Sequence, residues 1–278
     1  MSELVKRVLT ASILAPLAIW WLMFSPSPWF EALLGMLGVA ALFELIVMLS
    51  LPWRTAYVLS GAAGFALLLV SQQAAAVILL LGMIWLGIFM LAVRGTAQMP
   101  VADQTVRFGL AYWMTVWLLL FVWVLAMLHR QPSGHFLMLG AFLGVWAADI
   151  GAYFAGRAFG RHKLCVPISP GKTIEGAVAG ALCGMAVAGW VWVAYAGLGL
   201  AAGLLIALAL VVTAILGDLG ESAIKRAVGV KDSGRLLPGH GGLLDRIDAL
   251  VPAVAVAGAL IMGLAWAPIS GPLAGSGL

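Results

Sequence analysis

Hydrophobic residues run along this chain in long, nearly unbroken stretches. Short segments that carry Gly, Pro or charged residues separate these stretches. A helix needs about 20 consecutive apolar residues to cross the hydrocarbon core of a bilayer. The stretches are continuous rather than alternating with a period of two, which argues against a transmembrane strand barrel. The pattern predicts nine membrane-spanning helices, over residues 8–24, 29–49, 56–70, 74–93, 108–128, 136–154, 174–195, 200–217 and 249–266.

The composition agrees with an all-α integral membrane protein. Of the 278 residues, 64% are hydrophobic and 9% are charged, whereas soluble domains carry about 25% charged residues. The chain therefore lacks the polar residues needed to cover a water-exposed surface. Its first 24 residues have a basic flank and an apolar run, as a signal peptide does, but no small-residue cleavage site follows, so we expect an uncleaved first helix. The two cysteines, Cys165 and Cys183, predict neither a disulfide framework nor a metal site.

The distribution of basic residues orients the predicted helices. With the N-terminus in the cytoplasm, fourteen of the fifteen Lys and Arg residues fall in or beside inner segments, and only Arg130 falls outside. The positive-inside rule therefore predicts a cytoplasmic N-terminus and an external C-terminus, in a cell inner membrane. The net charge of +4 then describes a basic inner face, suited to anionic headgroups and nucleotides. No nucleic-acid recognition module accompanies that charge, so nucleic acid is not an expected partner.

Charged residues are spread unevenly over what we expect to be one domain, residues 1–278. Residues 1–128 are predicted to be mainly scaffold helices, with Glu44 in the middle of the second helix as the exception. A carboxyl group inside a bilayer is costly and by default functional, although a neutral Glu that is hydrogen-bonded between helices is the alternative. Residues 136–266 carry the candidate chemistry, on predicted cytoplasmic segments 155–173 and 218–248.

The segment before the seventh predicted helix suggests a phosphate site. A Ser-Pro pair predicts a turn, after which Gly171, Lys172 and Thr173 open the helix, where free N–H groups and the Lys172 ammonium would attract an anion. The triplet is not a nucleotide-binding P-loop, because the first Gly of that motif would fall at Val166. Simple snorkelling of Lys172 at the interface is the alternative. Asp149 lies on the preceding helix, about two turns from its predicted cytoplasmic end.

Acidic side chains on two predicted helices flank one glycine-rich loop. Asp218, Glu221 and Ser222 fall at i, i+3 and i+4, so they share a face if the eighth helix continues beyond residue 217. Asp245 and Asp248 are again three residues apart, at the start of the ninth helix. Two acidic pairs suit a hard cation such as Mg²⁺, which binds carboxylates and leaves positions for water and substrate phosphate. A network of salt bridges that only closes the helix ends is the alternative.

The sequence of residues 222–248, SAIKRAVGVKDSGRLLPGHGGLLDRID, resembles the signature of phosphatidate cytidylyltransferases, also called CDP-diacylglycerol synthases. The preceding GDLGE, the segment WAADIGAY and the loop SPGKTIEG resemble the same family, in the expected order. The resemblance covers the second half of the chain by its motifs, and the first half only as a stack of apolar helices. It implies a multi-helix membrane enzyme that condenses phosphatidic acid with CTP, giving CDP-diacylglycerol and pyrophosphate for phospholipid biosynthesis.

The resemblance also implies cofactors, partners and residue roles. It implies Mg²⁺, with a monovalent cation such as K⁺ beside it, and a homodimer. The residues that would bind metal are Asp218, Asp245 and Asp248, and Lys225 would join them in catalysis. The residues that would bind or support the substrates are Asp149, Lys172, Ser222, Arg226, Lys231, His240 and Arg246. No residues that read the cytosine base are evident from the sequence.

Other classes of protein fit parts of the pattern. A CTP-dependent polyprenol kinase could share a CTP-binding half, but it would transfer the γ-phosphate and release CDP instead of pyrophosphate. Alcohol phosphatidyltransferases are disfavoured because their Asp-x-x-Asp-Gly-x-x-Ala-Arg core is absent. A transporter would tend to place its charges near the bilayer midplane, often in paired repeats, whereas here the charges are predicted at one interface and no repeat is apparent.

Overall fold

Helices make up nearly all of the fold in the computed structural model, which describes residues 3–71, 73–95, 100–234, 236 and 241–266. Each of the nine predicted spans overlaps one long helix, and α9 is a single additional turn. The elements of the described chain are α1 (Glu3–Phe24), α2 (Ser27–Met48), α3 (Arg54–Ser71), α4 (Ala74–Gly95), α5 (Val101–His129), α6 (Gly134–Phe159), β1 (Lys163–Cys165), β2 (Ser169–Thr173), α7 (Ile174–Tyr195), α8 (Leu200–Ala227), α9 (Leu244–Ile247) and α10 (Leu250–Trp266).

The helices are those of a membrane protein. Among the described residues, seven helices, α2 to α8, are long and apolar enough to cross a bilayer. Two shorter apolar helices cover Ser12–Phe24 and Leu250–Leu264. The predicted total of nine spans, and the predicted sides of the two termini, stay predictions, because length and composition support crossing for the seven longer helices only.

Small residues allow α6 and α7 to pack closely along their length. A Cβ added at Gly180 would lie 2.5 Å from the carbonyl oxygen of Ala148 and 2.9 Å from the Cβ of Ala152. A Cβ added at Gly176 would lie 2.7 Å from the carbonyl oxygen of Ala152. Backbone atoms this near leave no space for a side chain, as is common where helices meet in membranes. The pairing brings Asp149 on α6 close to the segment that precedes α7.

The predicted span 174–195 coincides with α7, but the segment before it is a β-hairpin. Ser169 and Pro170 thus lie on a strand instead of in the predicted turn, and Gly171 and Lys172 precede the helix instead of opening it. β1 and β2 pair antiparallel, with Lys163 opposite Thr173. Thr173 caps α7, since its Oγ1 accepts a hydrogen bond from the backbone N–H of Gly176 at 3.1 Å, which is the usual role of a threonine at this position. Lys172 therefore lies on β2, directly before the cap, instead of on the helix.

Glu175 fixes the base of the hairpin. Its carboxylate accepts hydrogen bonds from the backbone N–H groups of Arg161 and His162, at 3.1 and 3.2 Å, and lies 2.6 Å from Nδ1 of His162. The backbone N–H of Ile174 also donates to the carbonyl oxygen of His162. Both ends of the hairpin are thus tied to the first turn of α7, which sets the position of Lys172.

Two helices extend beyond their predicted ends. α8 continues to Ala227, so Asp218, Glu221 and Ser222 lie on one helix, as their common face requires. α6 continues to Phe159, which leaves Asp149 nearly three turns from the end of its helix instead of two.

The first half of the chain contacts later segments at both ends of α2. At one end Arg130 Nη2 lies 2.8 Å from Glu31 Oε1. Near the other end Arg107 Nη1 donates a hydrogen bond to the carbonyl oxygen of Leu49 at 2.9 Å. Glu44 lies about one turn before the end of α2, instead of in its middle as predicted, and it accepts a hydrogen bond from the backbone N–H of Leu244. α5 therefore runs antiparallel to α2, and the scaffold reaches the segment that carries the predicted acids.

Candidate active site

A cavity of about 670 Å³ lies between α6, the hairpin, α7 and α8. Small and apolar side chains form most of its wall, and its charged lining residues are Asp149, Arg157, Lys172 and Asp218. A mostly apolar cavity with a few convergent charged groups is the usual form of a small-molecule site. The structure thus brings three predicted site residues, Asp149, Lys172 and Asp218, to one cavity.

Lys172 and Asp218 form an ion pair in the wall of this cavity. Lys172 Nζ lies 2.5 Å from Asp218 Oδ2, and the two side chains are 28% and 31% exposed. Ser222 Oγ donates a long hydrogen bond, 3.4 Å, to the other oxygen of Asp218. The Lys172 ammonium nitrogen itself is buried, although both side chains line the cavity. Lys172 is therefore placed to contact a phosphate that enters the cavity.

Lys225 is the centre of a second, more deeply buried cluster. Its Nζ lies 2.6 Å from Asp245 Oδ1 and 3.3 Å from Glu221 Oε1. The other oxygen of Asp245 accepts hydrogen bonds from the backbone N–H groups of Ser233 and Gly242, both at 2.9 Å. Glu221 is 1% exposed, and neither of its carboxylate oxygens accepts a hydrogen bond of good geometry from the described residues. The cluster therefore has a buried acid whose nearest ammonium, that of Lys225, lies closer to Asp245.

Asp248 lies in the turn between α9 and α10 and links the two clusters electrostatically. Burial, reinforced by the nearby Asp218 carboxylate, raises the pKa of Asp248 to about 7. The opposite holds for Asp245: burial would raise its pKa, but hydrogen bonds from the Lys225 ammonium and from two backbone N–H groups lower it below the usual value. A Cβ added at Gly217 would lie 2.7 Å from the carbonyl oxygen of Asp248, so α8 and this turn are in contact.

The acids of both clusters outnumber the lysines that face them. Carboxylate oxygens are the ligands that Mg²⁺ prefers, so the donor set fits that ion chemically. Within the described parts of the chain, however, no group of three His, Cys, Asp or Glu side chains is close enough to hold an ion. The predicted ligands Asp218 and Asp245 each lie against a lysine. The acids that interact in this region are Asp149, Asp218, Glu221, Asp245 and Asp248, and the lysines are Lys172 and Lys225.

The remaining predicted substrate-binding residues lie away from the cavity lining. Arg226, Lys231 and Arg246 are exposed, and none of them lines the cavity. Arg226 Nη1 donates a hydrogen bond of 3.3 Å to the carbonyl oxygen of Val230. His240 falls outside the described residues.

Two further residues belong to this region: Arg157, which was not predicted, and Glu221, which spacing paired with Asp218 but which was not carried into the predicted set of site residues. Arg157 lines the cavity and donates a hydrogen bond from Nη1 to Tyr153 Oη at 3.0 Å. It follows Asp149 by eight residues, a spacing that places both on one helix face and could have identified it. Glu221 precedes Lys225 by four residues, which is the spacing of a helical ion pair, but its burial is not readable from that spacing.

The chain is similar to known proteins over nearly all of its length. A family model described as the cytidylyltransferase family matches residues 5–263. A phosphatidate cytidylyltransferase of Pseudomonas aeruginosa is 35% identical over 273 residues, which cover 94% of this chain and 98% of the relative. Phosphatidate cytidylyltransferases of Haemophilus influenzae and Brucella suis are 46% and 48% identical over 132 and 131 residues, which cover 45% of this chain and about half of each relative, 46% and 47%.

Proposed function

The chain belongs to the cytidylyltransferase family, and from that premise we propose that it transfers the cytidylyl group of CTP to phosphatidic acid. The products would be CDP-diacylglycerol and pyrophosphate. The observation that carries the proposal is the cavity where Arg157 and Lys172 meet Asp149 and Asp218. It lies where α6 ends and α7 begins, so a lipid in the bilayer and a nucleotide in water could both reach it.

The proposed reaction needs no covalent enzyme intermediate. An oxygen of the phosphatidate phosphate attacks the α-phosphorus of CTP, the bond from that phosphorus to the bridging oxygen breaks, and pyrophosphate leaves. Both substrates are anions, so the protein must hold them in line and offset their repulsion. Lys172 and Arg157 line the cavity and supply positive charge for this task. The pair of Lys172 with Asp218 supports such a role, because it lies in the wall of the cavity that a phosphate would enter.

We include Mg²⁺ in the proposal, with Asp218, Asp245 and Asp248 as the residues that would hold it. When bound, the ion would offset negative charge on the transferred and leaving phosphates. Lys225 keeps Asp245 ionised and ties α9 to α8. The surplus of buried carboxylates, Glu221 among them, supports a further monovalent cation such as K⁺.

The proposed setting of the enzyme follows from its substrates. CTP is a cytosolic nucleotide and phosphatidic acid is a membrane lipid, so the site would face the cytoplasm at a cell inner membrane. The concentration of basic residues in the predicted inner segments supports this orientation. A homodimer remains part of the proposal, on the family resemblance alone.

The test is a measurement of the products. Purified protein is supplied with phosphatidic acid, CTP and Mg²⁺, and pyrophosphate release is followed, with ATP in place of CTP as the control. We expect release only when CTP, lipid and Mg²⁺ are all present. Release of CDP would indicate a CTP-dependent lipid kinase instead. Absence of turnover by folded protein, across several phosphatidic acids, would overturn the proposal.

A further inference from the structure

Glu44 belongs to the half of the chain that carries none of the predicted site residues, yet its side chain ends at the site. It is 6% exposed. Its Oε2 accepts a hydrogen bond from the backbone N–H of Leu244 at 2.9 Å and lies 3.5 Å from Oγ of Ser233. Ser233 and Leu244 lie on either side of residues 235–240, and we call the described segments 233–234 and 241–244 the two loop ends. A single carboxyl group from α2 therefore contacts both loop ends.

The same two loop ends hold Asp245. Its Oδ2 accepts hydrogen bonds from the backbone N–H groups of Ser233 and Gly242. Its own backbone N–H donates a hydrogen bond to Ser233 Oγ at 3.3 Å. Its Oδ1 lies against Lys225 on α8. A continuous series of contacts thus runs from Glu44 through the loop ends to Asp245 and Lys225.

Two glycines let the backbone close around the Glu44 carboxyl group. A Cβ added at Gly234 would lie 2.6 Å from Glu44 Oε1 and 2.8 Å from its Cδ. A Cβ added at Gly242 would lie 2.6 Å from Glu44 Oε2 and would also meet Ser233 Oγ. Real side chains do not approach so closely, so both positions require glycine as long as Glu44 stays in place. The loop ends and the carboxyl group are fitted to each other.

We propose that Glu44 is a positioning residue for the transferase reaction: it holds both ends of loop 233–244 and thereby fixes Asp245 against Lys225. The inference rests on the proposed function for its effect on turnover, but the contacts themselves do not depend on it. Glu44 does not line the cavity between α6, α7 and α8, so it would act on the reaction through the loop. Supporting residues of this kind typically change activity by about 10–100-fold when they are removed.

The first test combines kinetics with hydrogen exchange. Glu44→Ala should lower kcat by about 10–100-fold, with a much smaller change in KM for CTP. It should also speed amide exchange in peptides covering residues 241–248. Glu44→Gln keeps a carbonyl oxygen that can accept the Leu244 N–H, and it should retain most of the activity. Glu31→Ala is the matched control, since Glu31 lies on the same helix but pairs with Arg130, away from the loop.

The outcomes separate this inference from the proposed function. Unchanged exchange in Glu44→Ala, or an equal loss of kcat in Glu31→Ala, would overturn the positioning role. Amide exchange is measured whether or not the protein turns over. An inactive wild-type protein would therefore refute the proposed reaction and still leave the contacts of Glu44 with the loop ends testable by exchange.

A second test uses the close contact with Gly234. Gly234→Ala should reduce activity and speed exchange, because its new Cβ would meet Glu44. Shortening the acid with Glu44→Asp withdraws the carboxyl group, so the double variant should be more active, and more protected from exchange, than Gly234→Ala alone. Two substitutions that acted independently would give additive losses. Additive losses in both measurements would contradict the inference.

Discussion

Replacing Asp245 by Asn tests the buried cluster with the least change in shape. Asp245 accepts three short hydrogen bonds, from the Lys225 ammonium and from the backbone N–H groups of Ser233 and Gly242. An Asn side chain has one oxygen. If that oxygen stays with the two N–H groups, its NH₂ group faces the ammonium and one charge-assisted bond is lost, which costs about 1.5–3 kcal/mol. If it turns to Lys225, two buried N–H groups lose their acceptor, at about 1–3 kcal/mol each.

The first arrangement is the less costly, so we expect a loss of stability of about 1.5–3 kcal/mol. Glu221 remains beside Lys225 to offset its charge. The variant should thus remain folded, with a lower thermal midpoint, because folded domains are typically stable by about 5–15 kcal/mol. Turnover should nevertheless fall by about 100-fold or more, since both the acid and the position of Lys225 are altered.

The assay pairs pyrophosphate release at saturating Mg²⁺ with thermal unfolding of the same detergent-purified sample. Asp232→Asn is the matched control, because Asp232 is exposed and its substitution makes the same change in charge directly before Ser233. Asp245→Asn protein that turns over at the wild-type rate would refute both the metal assignment and the structural role of the pair with Lys225. A variant as inactive as expected but equally stable would refute the hydrogen-bond argument alone.

Three further predictions follow from the geometry. Lys172→Ala should lower kcat/KM for the substrates through a lost phosphate contact. Unchanged kcat/KM for both substrates, or an equal loss in the exposed Lys163→Ala, would contradict the phosphate role. Gly180→Val should reduce the yield of monodisperse protein, because the new side chain meets backbone of α6, whereas Gly171→Val has no neighbouring atoms to displace; equal yields would refute the close-packing argument. Between pH 4 and 7 the buried Asp248 carboxyl group holds a proton that the unfolded chain has released, so its contribution to stability falls as pH rises. Asp248→Asn should remove this part of the pH dependence of unfolding in chelator-treated protein. An identical stability profile against pH in the variant would contradict the raised pKa.

The long helices could be predicted because lipid imposes one requirement on every span, a continuous apolar run of sufficient length. The hairpin could not. It depends on Glu175 accepting N–H groups from Arg161 and His162, thirteen or fourteen residues earlier, and hydrophobic periodicity carries no trace of such a contact. The sequence allowed α8 to continue beyond residue 217 but did not require it, because charged residues there end the apolar run while the helix continues.

The site shows a similar division between what spacing predicts and what it does not. Spacing placed Asp218 and Glu221 on one helix face, as observed. It did not show that lysines from other positions would lie between the acids, which is why the predicted metal ligands do not converge in the described residues. For Glu44 the sequence indicated a costly acid in a span, but its partners are 189 and 200 residues away along the chain.

That separation has a consequence for how the protein is made. Ribosomes add about 5–20 residues per second, so roughly 10–40 seconds pass between the synthesis of Glu44 and that of Leu244, 200 residues later. During this interval α2 enters the bilayer with a carboxyl group that has neither of its final partners. Other helices can shelter this carboxyl group until its partners are made. Completion of the site is therefore among the last events of biogenesis, and a nascent chain stopped short of residue 233 would carry this acid without either partner.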